Sequence, residues 1–176
     1  MIHIFISGQI SVKKVLVIYD TKYGNTKLAA ENILEGVKSV DGVEAAIGYV
    51  KEIDPAKVSD YDAIIFGAPN HMGRPSRTMK KFIDRLAEIS LKAKDAAVFD
   101  TYAGKERPAD RAMIKLERMV KNKLPSLNLI SPGLSVRVNG IPGPVVEGEL
   151  PKCVDFGKKV ANQLIERSSL PSRATT

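Results

Sequence analysis

Apolar residues follow two alternating rhythms along this chain. Short unbroken runs, each long enough for a strand, alternate with stretches where apolar positions recur every three or four residues, the period of a helix face. Residues 14–19 form the first run and Val43–Val50 a second, less regular one. Asp62–Gly67 forms a third, apolar enough to be covered on both faces as strands of parallel sheets are. Ala96–Asp100 is a fourth. Leu127–Ile130 and Leu134–Val138 read as a fifth strand, broken at Ser131-Pro132-Gly133 by a bulge or kink. Between these runs, Ala30, Ile33, Leu34 and Val37 predict a helix over 26–40 that Gly42 stops, and Asp54-Pro55 marks a turn. Met79, Phe82, Ile83 and Leu86 predict a helix over 76–89, and Met113, Leu116, Val120 and Leu124 another. Val154, Gly157, Val160, Ala161 and Leu164 form the inner face of a closing helix. Strands alternating with helices in this way predict an α/β fold, an open and mostly parallel doubly wound sheet. The domain is expected over 13–165, with a polar tail over 166–176. Residues 1–12 form a mildly apolar leader, which reads as coil, an added edge strand or the product of an upstream start.

In sheets of this kind ligands bind outside the carboxyl ends of the strands. Three loops leave such ends here: 20–26, 67–75 and 100–105. In the first, Val15 to Asp20 runs through Thr21-Lys22-Tyr23-Gly24-Asn25-Thr26 into a helix, so backbone N–H groups and the positive end of a helix dipole converge on one spot. Thr21 and Thr26 can donate hydroxyl protons to a phosphate and Asn25 an amide proton. Gly24 permits the turn and the ligand's close approach. The alternative is an ordinary turn capped by Asn25 or Thr26. The loop lacks the lysine of a nucleotide triphosphatase P-loop and the Gly-x-Gly-x-x-Gly spacing of a dinucleotide site, and the chain holds no Gly-x-Ser-x-Gly elbow. Such a site holds a phosphate rather than transferring it, which points to a mononucleotide cofactor.

At 176 residues, with 44% hydrophobic and 27% charged residues, one folded domain is expected. No apolar stretch is long enough for a membrane span, and the leader lacks the basic region and cleavage site of a secretory signal, so a cytoplasmic location is the default. One cysteine, Cys153, excludes an internal disulfide, and two histidines, His3 and His71, cannot build a metal centre by themselves. Redox chemistry must therefore come from a bound organic cofactor. Cys153, on the apolar side of its helix, reads as packing. His71 reads either as a proton donor to a reduced acceptor or as a plain solvent-facing loop residue.

The loop residues 21–26 resemble the phosphate loop of the flavodoxin-like FMN-binding proteins, Thr/Ser-x-Thr/Tyr-Gly-Asn-Thr. Gly67-Ala68-Pro69-Asn70-His71-Met72-Gly73 is similar to their flavin-flanking Gly-x-Pro-Thr loop, with Asn70 where the family often has Thr. Residues 79–84 resemble the quinone-reductase branch, the tryptophan-repressor-binding-protein-like flavoproteins. Residues 149–158 resemble the closing helix of the flavodoxin domain in A-type flavoproteins. The resemblance covers about 13–165 and implies a five-stranded sheet in the order 2-1-3-4-5 with helices on both faces. It also implies FMN as cofactor. The phosphate would sit on Thr21, Lys22, Tyr23, Gly24, Asn25 and Thr26. Pro69, Asn70, His71, Met72, Gly73 and Arg74 would border the isoalloxazine. Thr101, Tyr102, Ala103 and Gly104 would flank its other side, with Tyr102 the better stacking candidate. Residues 101–108 differ from the glycine- and aromatic-rich third loop usual in A-type flavoproteins.

A net charge of +7 sets this chain apart from the acidic electron-carrier flavodoxins. Arg74, Arg77, Lys81 and Arg85 step along one helix beside the second loop, and Arg107, Arg111, Lys115 and Arg118 beside the third. These rows are either solvated outer faces or a positive collar that steers an acidic redox-partner protein or a pyridine nucleotide. An aromatic content of 6% and the lack of a recognition motif speak against nucleic acid. Three functions remain: electron transfer between protein partners, an NAD(P)H:quinone oxidoreductase, and a flavin-free interaction module. Homo-oligomer formation fits the quinone-reductase and A-type branches, while carriers can be monomers.

Overall fold

Adjacent residues of each central strand face opposite layers, and both layers are apolar. Val15, Val17, Ile65, Ala97 and Phe99 belong to one core with the helices at either end of the chain; Leu16, Ile18, Ile64, Phe66 and Val98 belong to the other. The computed structural model describes residues 11–91, 93, 95–104 and 111–170. Residues 1–10 of the leader, the charged part of the third loop with Arg107, and residues 171–176 lie outside the described residues.

The strands are β1 (Lys13–Tyr19), β2 (Val43–Tyr49), β3 (Ala63–Pro69), β4 (Asp95–Ala103), β5 (Asn128–Leu129) and β6 (Leu134–Val138). All pair in parallel, in the order β2-β1-β3-β4-β5, with β6 also on β4. The expected fifth strand is thus two segments sharing one neighbour, as read. Pro132 between them has no N–H to give the ladder. Helices α1 (Asn25–Lys38) and α4 (Glu149–Ser169) cover one face, α2 (Arg77–Leu86) and α3 (Arg111–Lys123) the other. A 3-10 turn over Pro55–Asp60 follows the Asp54 side chain, which accepts from the Ala56 N–H at 3.0 Å.

Two sequence expectations change. The fourth strand continues past Asp100 to Ala103, because β6 extends the ladder there through Tyr102 paired with Arg137 and Ala103 with Val138. The inner face of α4 is Cys153, Phe156, Gly157, Val160, Ala161 and Leu164, while Val154 is half-buried. The helix also runs beyond residue 165, and Arg167 bonds Asp95 at the base of β4.

Candidate functional site

The carboxyl ends of β1, β3, β4 and β6 surround a cleft of about 140 Å³. From β1 come Thr21, Lys22, Tyr23, Asn25 and Thr26; from β3 Pro69, Asn70 and His71; from β4 Thr101 and Ala103. Val138, Gly140, Ile141 and Pro142 close it from β6. This last wall was not among the expected loops. Its signal was present, since strand 134–138 ends on the same rim and a Gly/Pro-rich segment follows it.

Gly24 caps α1 at φ +89, and no atom lies within 4 Å of the place a Cβ would take. The first N–H groups of a helix have no intrahelical partner, and the first turn of α1 holds no acidic residue. Thr21 Oγ1 accepts from the Gly24 N–H at 3.0 Å, which leaves its own proton to donate. Thr26, buried to 1% exposure, pairs hydroxyl to hydroxyl with Thr101 at 2.7 Å. One proton of that pair is used between them and the other is available. Lys22 Nζ stands 5.2 Å from the centre of the Tyr23 ring. Hydroxyl donors, a lysine and free helix amides around an open glycine fit a phosphomonoester. The Asn25 amide donates one proton to the Pro142 carbonyl at 2.6 Å.

The second loop is a two-residue turn. His71 and Arg74 exchange both backbone hydrogen bonds, at 2.8 and 3.1 Å, across Met72 (φ 51) and Gly73 (φ 77). Positive φ at both central positions is the type I′ pattern, unfavourable for Met72. Asn70, in the place of the family's Thr, offsets this by accepting from the Gly73 N–H at 2.7 Å, and its own N–H donates to the Thr101 carbonyl at 2.8 Å. Met72 stands fully exposed at the tip.

Behind this turn lies a second opening of about 650 Å³, lined by Asp20, His71, Met72, Arg74 and the start of α2. Asp20 is buried and accepts from the Thr21 N–H at 2.9 Å. Ser76 caps α2, its hydroxyl accepting from the Met79 N–H at 3.2 Å.

Tyr102, the expected stacking residue, is part of a strand. It lies within β4 between Thr101 and Ala103, which line the cleft, and strand alternation turns it to the opposite face. Gly104 is the last described residue of that loop. Cys153 is fully buried, and burial, with Glu149 nearby, pushes its thiol up to about 12, so it serves as packing. Among the described residues no group of three or more His, Cys, Asp or Glu could hold a metal ion, and no helix is long and apolar enough to cross a membrane.

A doubly wound parallel sheet with this donor set on its carboxyl rim defines a mononucleotide-binding α/β protein. Comparison narrows the class. The flavodoxin domain model matches residues 16–137. A flavodoxin of Clostridium saccharobutylicum is 29% identical over 159 residues, 86% of this chain and 97% of the relative. One of Aquifex aeolicus is 45% identical over 71 residues, 40% of this chain and 38% of the relative. The solved structure of a flavodoxin from the domain Archaea superposes with a TM-score of 0.70 at 21% identity, covering 86% of this chain and 98% of that one. The chain belongs to the flavodoxin family, and with it come FMN as cofactor and electron transfer as the activity.

Proposed function

We propose that Thr21, Gly24, Thr26 and the first-turn amides of α1 hold the FMN phosphate, and that this chain passes electrons between protein partners in the cytoplasm. The observation that carries the first part is the ring of donors around the open space at Gly24. A cleft of about 140 Å³ is smaller than the roughly 300–1,000 Å³ usual for small-molecule sites, so it suits the phosphate and sugar-alcohol chain. The ring would extend along the 69–74 turn. Bound FMN supplies the one-electron and hydride chemistry, and the protein orients it and sets its electrostatics.

The lip of the cleft supports the second part. Tyr23 and Ile141 are exposed there with Lys22, and exposed Met72, Arg74 and Arg77 line the adjoining opening that shares His71. An apolar centre in a basic rim fits an acidic redox protein. A second reading, turnover of NAD(P)H with a quinone, is favoured by the opening behind His71, where Arg74, Arg77 and the N-terminus of α2 could receive a nucleotide phosphate.

Titration of the apoprotein tests the cofactor site. Thr26→Val should weaken FMN binding by roughly 1.5–3 kcal/mol, about tenfold to a hundredfold or more, with less effect on riboflavin, which lacks the phosphate. Equal loss for both flavins would remove Thr26 from the phosphate site. Steady NAD(P)H consumption with a quinone would replace the carrier reading by the enzyme one.

A further inference from the structure

We infer that the turn from Asn139 to Pro144 is a fourth cofactor-binding segment, a strap folded back over the mononucleotide cleft, and that Asn25 is the positioning residue that holds it closed. This rests on the phosphate site proposed above. Beyond Val138 the chain doubles back: Val138 bridges Val145, the Asn139 N–H donates to the Pro144 carbonyl at 2.7 Å, and the Val146 N–H donates to the Arg137 carbonyl at 2.9 Å. The hairpin so formed reaches from the end of β6 to the start of α1. There the Asn25 amide donates to the Pro142 carbonyl at 2.6 Å, across 117 positions of sequence.

Gly143 sits against the same amide. A Cβ at this position would stand 2.6 Å from both Nδ2 and Oδ1 of Asn25, and its φ of +117 is one that side chains rarely adopt. Pro142 and Pro144 each restrict φ, which lowers the entropy lost in holding the strap. On its inner side, Gly140, Ile141 and Pro142 face Thr21–Thr26 across the cleft. Ile141 lines the cleft yet remains 75% exposed, so it gains burial when a ligand fills the space.

One amide proton of Asn25 is therefore committed to the strap, and its part in cofactor retention runs through that contact. A phosphate donor and a strap holder are separable. Loss of a donor weakens FMN and spares riboflavin; loss of the holder speeds the release of both.

The experiment compares wild type, Asn25→Ala, Gly143→Ala and Ile141→Ser apoproteins. It uses FMN and riboflavin titrations, stopped-flow release monitored by flavin fluorescence, and amide hydrogen exchange over 139–146 without flavin. The expected result is that Asn25→Ala and Gly143→Ala each release both flavins about tenfold faster, with faster exchange in the strap. Ile141→Ser, a surface change that leaves the fold intact, should release both several-fold faster, so the inference stays testable if Gly143→Ala fails to fold. An Asn25→Ala protein that loses only FMN affinity, with strap exchange and Ile141→Ser release unchanged, overturns the strap alone. A wild-type protein that binds neither flavin overturns the underlying site as well.

Discussion

Glu149 shows how a single side chain joins the site to the frame. At the first turn of α4 it is buried, and it accepts from the Arg137 N–H at 3.0 Å and from Lys152 Nζ at 2.6 Å. Burial works to raise its carboxyl, but the Lys152 ammonium and the Arg137 amide outweigh it and hold the group below its ordinary value of 4.5. Above about pH 4.5 the carboxylate is ionised in both folded and unfolded chains and its full contribution is present. As pH falls below that, the unfolded chain takes up the proton first, so stability drops through the lowered folded value. Glu149→Gln should cost roughly 1.5–3 kcal/mol at neutral pH. Urea denaturation at a series of pH values should show the gap to wild type narrowing below about pH 4.5. A gap independent of pH would mean that the ionised form is not what matters. Because the base of the strap hangs from Arg137 and Glu149, acid should also loosen the fourth wall of the cleft.

Helices α1 and α4 approach so closely that each presents a glycine to the other's backbone. A Cβ on Gly36 would collide with the Val154 carbonyl, and one on Gly157 with the Ile33 carbonyl. Gly157→Ala should therefore separate the helices and destabilise the fold by roughly 1–3 kcal/mol, instead of the gain that alanine brings to an open helix position. Thermal melting would decide, and an unchanged or raised Tm would contradict the close approach. The 3.6-residue spacing that includes Gly157 made this helix face legible in the sequence, as the run of buried residues did β3. The turn from β1 into α1 was legible too, because the glycine that caps the helix lies within the loop itself. The strand placement of Tyr102 was hidden by a boundary. A strand ending at Asp100 leaves residue 102 free in a loop, whereas one reaching Ala103 sends Thr101 and Tyr102 to opposite faces. The contact between Asn25 and Pro142 was hidden by distance, since nothing near residue 25 encodes a carbonyl 117 positions away.

At the scale of the molecule, the charge of +7 acts through its placement. Arg77, Lys81 and Arg85 are exposed along the outer side of α2, and among the described residues none forms an ion pair. With Arg74 at the turn, this row begins at the second opening, behind His71, and projects a positive field over that side of the rim. A field of this sign should distinguish small oxidants by charge alone. Oxidation of the reduced, FMN-loaded protein by anionic ferricyanide should slow as salt rises, because screening beyond about 10 Å removes the attraction. Oxidation by cationic hexaamminecobalt(III) should instead speed up. Arg77→Glu with Lys81→Glu should lower the ferricyanide rate roughly three- to tenfold at low salt and flatten its salt dependence, while raising the cobalt rate. Stopped-flow traces at the flavin absorbance would measure all four rates. Equal salt slopes for the two oxidants would mean that electrons leave through a face these residues do not command, and would remove the argument for an acidic partner.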